Sequence, residues 1–82
     1  MKTHNLKIWQ EPFAAVLDGS KRAEIRKNDR DFKVGDLMIL EECIAGRHFT
    51  GHRVRKQITH IQSWLGLQDG YVCLSFGDVG GV

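Results

Sequence analysis

The sequence predicts one small α+β domain, mostly β, folded as a five- to six-stranded barrel with one or two short helices. Eighty-two residues are enough for a single compact core and no more. Five segments have the composition and apolar spacing of short strands, whereas a single segment has clear helical spacing. Strands this few and short suit a small, partly closed barrel better than a sandwich of two large sheets.

The first half of the chain contains two predicted strands and a helix. Residues 4–9 alternate polar and apolar side chains, as a half-buried strand does. Glu11 and Pro12 open the helix, since the missing N–H of the proline is not needed in a first turn, and the helix ends at Gly19, which tolerates a left-handed conformation. Residues 20–27 form the second predicted strand, with Ala23 and Ile25 facing inward.

The next two predicted strands surround a glycine-containing loop. Residues 36–43 are apolar enough at their centre to be buried on both faces. A loop with Gly46 and Gly51 leads into the longest strand. Ile61 breaks the alternation of that strand, which predicts a bulge or a twist.

The last predicted strand follows a loop over residues 63–70. It covers residues 71–76, and its inward-facing side chains are Val72, Leu74 and Phe76. Residues 77–82 are predicted to be a loose C-terminal tail. We find no linker, so residues 1–82 are interpreted as one domain.

The distribution of charge favours an anionic partner. The net charge of +2 decides little, but residues 21–33 hold six basic residues against three acids, and residues 47–56 hold four and no acid. If the two stretches meet in space, they form a surface that attracts phosphates. Scattered solvated charge is the alternative interpretation.

Cysteine use predicts a reducing compartment. Cys43 and Cys73 each lie in an apolar stretch, which favours free thiols over a disulfide. The sequence shows no apolar signal region, and no apolar run approaches the ~20 residues of a membrane span. We therefore expect a cytoplasmic monomer without membrane association.

The strongest local pattern is residues 19–26, at the junction between the helix and the second strand. Glu24 and Arg26 share one side of a strand, and Arg22 joins them if the strand is regular that far back. Lys21 lies where the strand begins. A carboxylate between fixed cations stays ionised and can orient a base edge or a water molecule. The alternative is a surface ladder of ion pairs, each worth under ~1 kcal/mol.

This pattern, G-x-K-x-x-E-x-R after a short helix, resembles the signature of ASCH (activating signal cointegrator homology) domains, a branch of the PUA-like superfamily. The whole chain is similar to the small bacterial and phage subgroup of that branch, from about His4 to Phe76. The further matching segments are H-x-L-K-I-W (4–9), P-F-x-x-V-L-x-G (12–19), E-I-R-K-N-D-R (24–30), F-x-V-G-D (32–36), I-T-H-I (58–61) and G-Y-V-C-L (70–74).

The resemblance implies a barrel with a cleft between barrel and helix. In the family this cleft is inferred to bind RNA, and Lys21, Glu24 and Arg26 would line it here. Some similar ASCH proteins hydrolyse acyl groups from modified cytidine with a lysine, a threonine nucleophile and a distant glutamate. Here Lys21 matches the lysine, but Glu24 stands where the threonine would be.

The leading hypothesis is an RNA- or nucleotide-binding module with a basic cleft. The alternative is a small amidohydrolase acting on an acylated modified nucleoside such as N4-acetylcytidine, with Lys21 and Glu24 as catalytic residues. A protein-binding platform is a third hypothesis. The predicted nucleic-acid-binding residues are Lys21, Arg22, Glu24, Arg26, Lys27, Arg30, Arg53, Arg55 and Trp9.

Neither a cofactor nor a metal is expected. The four histidines lack the compact spacing, with a supporting carboxylate or cysteine, that zinc sites show. Trp9 and Trp64 can stack on bases, although packing in a core or at its rim is the commoner role of a tryptophan.

Overall fold

Five strands and one helix make up the computed structural model, which describes residues 1–45 and 47–80. The prediction of an α+β domain that is mostly β is confirmed. Gly46, Gly81 and Val82, which belong to the predicted loop and tail, lie outside the described residues. The elements in chain order are β1 (Thr3–Trp9), α1 (Gln10–Asp18), β2 (Ala23–Lys27), β3 (Leu37–Ile44), β4 (His48–Gln62) and β5 (Tyr71–Gly77).

All five strands belong to one sheet in the order β1-β3-β4-β5-β2. β1 and β3 pair in parallel, and the other neighbours are antiparallel. β1 and β2 are therefore the two edges. No backbone pairing joins them in the described part of the chain, so the sheet is open and closure into a barrel is not confirmed.

α1 follows β1 directly and packs on β1 and β3. Its buried side chains, Phe13 and Val16, are one turn apart and share a face. Gly19 has φ +85°, and its N–H donates to the carbonyl of Val16 at 3.2 Å, so the helix ends where the sequence predicted. In residues 1–45 and 47–80 no helix has the length and apolar character to cross a membrane.

The core lies between α1 and one face of the sheet. Alternate residues of each strand point into it, since side chains alternate between faces along a strand. Val72, Leu74 and Phe76 of β5 are buried, as predicted. The other buried members of the cluster are Leu6, Ile8, Phe13, Val16, Phe32, Met38, Leu40 and Ile58.

β4 pairs with two strands and is irregular where it changes partner. Its residues up to Gln57 pair with β3, and those from Gln57 onward pair with β5. The register with β5 shifts between Ile58 and His60. The irregularity predicted from Ile61 is therefore confirmed, and such a shift bends a long strand.

β2 is shorter than predicted, and the side of the strand that faces inward is the opposite of the predicted one. Residues 20–22 are not part of it, because the N–H of Lys21 donates to the carbonyl of Ala15 at 3.0 Å at the end of the helix. The prediction that Ile25 faces inward is wrong, because its side chain is 61% exposed. The adjacent Glu24 and Arg26 are the shielded side chains, because β2 is an edge strand whose inner side borders a polar hollow.

A buried polar pair ties β1 to the turn before β3. Nε2 of His4 lies 2.7 Å from Oδ2 of Asp36, and Asp36 also accepts hydrogen bonds from the backbone N–H groups of Lys2 and Lys33. Burial acts to raise the pKa of Asp36, but these hydrogen bonds outweigh it and lower the pKa to about 2. Asp36 is therefore an ionised, fully partnered carboxylate inside the domain.

Candidate functional site

Three side chains of the predicted motif form a compact cluster, called here the Glu24 cluster. Nζ of Lys21 lies 3.2 Å from Oε1 of Glu24, and Nη2 of Arg26 lies 3.2 Å from Oε2. The Glu24 side chain is 14% exposed and that of Arg26 is 23% exposed. Shielding of this degree strengthens an ion pair relative to one in open solvent. The cluster therefore holds its three charges in a fixed arrangement.

Backbone contacts fix the segment that leads into this cluster. The turn at Gly19 redirects the chain from α1 to β2. Nε of Arg22 donates to the carbonyl of Gly19 at 3.1 Å, and the carbonyl of Arg22 accepts from the N–H of Phe76 at 3.1 Å. These contacts set where Lys21 and Glu24 emerge from the backbone.

Two arginines bridge the open edge of the sheet, and we call this contact the arginine seam. Nη2 of Arg26 donates to the carbonyl of Lys7, and Nη1 of Arg30 donates to the carbonyl of Asn5 at 2.9 Å. Both carbonyls belong to β1, which lacks a strand partner on that side. Edge carbonyls need hydrogen-bond donors from another source, and here guanidinium groups supply them.

A first hollow, the seam pocket, lies beside the arginine seam and has a volume of about 340 Å³. Its lining includes Glu24 and Arg26 from the cluster, together with Lys27 of β2. Trp9, at the end of β1, and Pro12, in the first turn of α1, add an apolar side. The Trp9 side chain is largely exposed, so its ring is accessible to a ligand.

A second hollow, the helix-end pocket, lies beside Gly19 at the end of α1 and has a volume of about 310 Å³. Lys21 and Arg22 line it together with Lys56 of β4 and Asp78. Nζ of Lys56 lies 2.8 Å from Oδ1 of Asp78. The hydrogen bond and the positive charge of Lys56 lower the pKa of Asp78 below its usual value.

Lys56 is a site residue that sequence reasoning missed. The basic stretch of β4 was interpreted as one surface, although neighbouring strand residues face opposite sides. Lys56 lies two residues from Val54 and two from Ile58, which pack in or against the core. The three side chains share one face of the strand, so the inward direction of Lys56 could have been inferred.

Arg53 and Arg55 are not brought to the Glu24 cluster. They lie on the other face of β4, where they line a separate hollow of about 630 Å³ with Ile39, Asp78 and Val79. Both arginine side chains are exposed. Among the described residues that line the helix-end pocket, Lys56 is the member of the second basic stretch, and it meets Lys21 and Arg22 of the first there.

The other predicted features do not line either pocket. Trp64 is exposed in the loop after β4, away from the residues that line the two pockets. Cys43 is buried, Cys73 is half-buried, and both are free thiols. Across residues 1–45 and 47–80, no three histidine, cysteine or carboxylate side chains are grouped so that they could hold a metal ion.

Comparisons with known proteins place these residues within a family match. Residues 3–76 match the family described as "Domain of unknown function (DUF3850)". A relative from Escherichia phage P2, described as an uncharacterized 12.9 kDa protein in the GpA 3' region, is 41% identical over 73 residues. This alignment covers 89% of the chain and 66% of the phage protein, so the chain spans slightly less than two thirds of its relative. The family match includes the Glu24 cluster and the arginine seam, and it ends before Asp78.

Proposed function

The chain belongs to the DUF3850 family, and we propose that it is a binding module for RNA or nucleotides. One observation supports this above the others: the shielded carboxylate of Glu24 is paired with both Lys21 and Arg26, and it lines the seam pocket together with Arg26 and Lys27. A carboxylate fixed between cations can read a base edge while the cations hold phosphate.

Arg26 is well suited to hold a phosphate. Its guanidinium is already anchored by the carbonyl of Lys7 and by Glu24, so little side-chain entropy is lost when a ligand binds. A guanidinium has five N–H donors and binds phosphate oxygens in a bidentate way. Lys27, also at the seam pocket, adds a second cation for the backbone.

Glu24 and Trp9 are suited to hold a base. The carboxylate of Glu24 accepts hydrogen bonds, as the exocyclic amino groups of cytosine, adenine and guanine require. The exposed ring of Trp9 gives a surface for stacking, a contact worth about 1–3 kcal/mol per base. The pocket volume of about 340 Å³ is near the lower end of the ~300–1,000 Å³ of small-molecule sites, so we propose that it takes a single nucleotide unit.

We further propose a relationship to ASCH domains and a cytoplasmic location. The first is supported by the motif G-x-K-x-x-E-x-R, whose lysine, glutamate and arginine make direct contacts in the folded chain. The second is supported by the two free cysteines, which a reducing compartment preserves.

The experiment is a titration of labelled single-stranded RNA at several salt concentrations. With Lys21, Arg26 and Lys27 on phosphates, the logarithm of the binding constant should fall with the logarithm of salt with a slope of about −2, at ~0.7 per contact. Lys21→Gln and Lys27→Gln should each reduce the slope. Lys33→Gln, at an exposed lysine in the loop before β3, is the matched control and should leave it unchanged. Affinity that ignores salt and both test variants rules out the proposal.

Hydrolysis of an acylated nucleoside such as N4-acetylcytidine is a second candidate. It is favoured by the 3.2 Å contact between Nζ of Lys21 and Oε1 of Glu24, which places a proton donor beside a proton acceptor. Water would add to the acyl carbonyl and the C–N bond would break, giving cytidine and acetate. Chromatography of N4-acetylcytidine after incubation should show cytidine with the wild type and none with Glu24→Gln. If concentrated wild-type protein forms no cytidine, this candidate is excluded for that substrate.

A further inference from the structure

The helix-end pocket contains an internal ion pair of unequal partners. The Lys56 side chain is 16% exposed, whereas that of Asp78 is 73% exposed. Asp78 comes directly after β5, so a carboxylate on the end of the last strand reaches back to a lysine on the inner side of β4. The shielded ammonium group of Lys56 is thus paired with the carboxylate of Asp78, which is itself largely exposed to solvent.

The cations of this pocket outnumber the acid that occupies it. Lys21, Arg22 and Lys56 line the pocket, and Asp78 is the acidic residue among the lining side chains. Arg22 uses Nε to bond the carbonyl of Gly19, which engages one of the five N–H donors of its guanidinium. Donor capacity therefore remains around the position that the Asp78 carboxylate takes.

Within residues 78–80, two hydrogen bonds that involve side chains hold the segment that bears Asp78. One is the Lys56 pair, and in the other the N–H of Gly80 donates to Oε1 of Gln57 at 3.2 Å. Both hydrogen bonds are exposed to solvent. Exposed ion pairs contribute about 0–1 kcal/mol, so moving this segment away from Lys56 costs little.

We propose that the helix-end pocket is a phosphate subsite, and that the Asp78 carboxylate occupies the position of the phosphate at Lys56 until a ligand displaces it. The inference rests on the proposed function and gives it a second contact point. Glu24 joins the two pockets, because Lys21 bonds one of its oxygens and Arg26 the other. A nucleotide with its base in the seam pocket can therefore extend a phosphate into the helix-end pocket.

Phosphate is the stronger occupant of this position. A terminal phosphate carries more negative charge than a carboxylate and a bridging phosphodiester carries the same, and in both the oxygens can accept from Lys56, Arg22 and Lys21 together. Asp78, by comparison, accepts a hydrogen bond from Lys56. Replacement of the Asp78 carboxylate by phosphate therefore adds charge-assisted hydrogen bonds and disrupts little of the folded structure.

The test compares Asp78→Asn with Asp31→Asn. Asp31 is a matched control, because its side chain is 68% exposed and pairs with Lys33 at 3.3 Å outside both pockets. We expect Asp78→Asn to bind labelled single-stranded RNA several-fold more tightly than the wild type, and Asp31→Asn to change the affinity much less. Lys56→Gln should weaken RNA binding. The double variant Lys56→Gln with Asp78→Asn should bind RNA no more tightly than Lys56→Gln alone.

Inorganic phosphate provides a second probe that does not depend on RNA. Phosphate should shift the backbone amide resonances of Gly77, Val79 and Gly80 at lower concentration in Asp78→Asn than in Asp31→Asn. If RNA binds but the two variants behave alike, the phosphate subsite is excluded and the proposed function stands. If neither RNA nor a free nucleotide binds but phosphate shifts these amides selectively in Asp78→Asn, the subsite stands and the proposed function is excluded. If none of the three probes binds, both are excluded.

Discussion

The guanidinium of Arg26 donates a hydrogen bond to the backbone carbonyl of Lys7 and so connects the two edge strands of the sheet. The same guanidinium contacts Glu24 in the candidate site. One side chain therefore serves the stability of the sheet edge and the arrangement of the binding surface.

Removal of this side chain should destabilise the fold. Arg26→Met leaves the edge carbonyl of Lys7 and the shielded carboxylate of Glu24 without this donor, so we expect a loss of about 1–3 kcal/mol in the free energy of unfolding. Urea denaturation measures it. Arg55→Met, on the exposed outer face of β4, is the control and should stay within about 0.5 kcal/mol of the wild type. Equal effects of the two variants would show that the seam does not support the sheet.

The pair of His4 and Asp36 should make stability depend on acid. The pKa of Asp36 falls from 3.8 to about 2 on folding, so its stabilising contribution is complete above pH 3.8 and is lost as the pH falls toward 2. The measurement is urea denaturation at several pH values between 2 and 5. Asp36→Asn should be less stable by about 3 kcal/mol at neutral pH, because a buried pair is broken. It should also lose stability less steeply through this acid range, and a slope equal to that of the wild type would contradict the assignment.

The turn between α1 and the Glu24 cluster should tolerate alanine poorly for a conformational reason alone. Gly19 has φ +85°, and an added Cβ would meet no atom within 4 Å. We expect Gly19→Ala to cost about 1–2 kcal/mol, the penalty of a left-handed backbone with a side chain. Gly77→Ala is the control, since its Cβ would make an ordinary contact at 3.7 Å with Thr59. Thermal denaturation of both variants distinguishes a backbone effect from a general intolerance of glycine replacement.

The seam pocket should prefer bases that carry an exocyclic amino group. Because Glu24 accepts hydrogen bonds, oligo(C) and oligo(A) should bind more tightly than oligo(U), by about 1 kcal/mol or roughly fivefold. Fluorescence anisotropy with labelled hexamers measures the difference. Glu24→Gln should narrow it, because an amide also donates and can pair with the carbonyls of uracil. A wild-type protein that prefers oligo(U) would exclude this role of Glu24.

Segments bounded by turn residues were predictable from the sequence. Gly19 ends α1 as expected, and the inward face of β5 follows from strict alternation. The irregularity in β4 could be inferred because Ile61 interrupts the apolar spacing. In each case the signal is local, since the pattern depends on residues a few positions apart.

The orientation of β2 was not predictable by the same rule. The rule assumes that apolar side chains face inward, but β2 is an edge strand, and its inner side borders the seam pocket. There the hydrogen bonds from Arg26 and Arg30 to the carbonyls of β1 stabilise this orientation of β2 more than burial of Ile25 would stabilise the opposite one. Which strand lies at an edge depends on pairing across the whole chain, which local spacing does not contain.

The candidate site was partly predictable. Lys21, Glu24 and Arg26 come together because they are close in sequence on one turn and one strand. Lys56 and Asp78 meet Lys21 at the helix-end pocket through the pairing of β4 with β5. The local sequence has no signal for that long-range contact.

The parallel pairing of β1 with β3 bears on how the chain folds. α1 and β2 lie between β1 and β3 in the chain, so β1 cannot complete its hydrogen bonds until this long intervening segment has closed into a loop. Closure of such a loop costs entropy before the contacts between the strands can stabilise the chain. Proteins dominated by distant contacts therefore fold in about milliseconds to seconds. During synthesis on the ribosome, β1 emerges before β3, so its edge stays unpaired until β3 has followed.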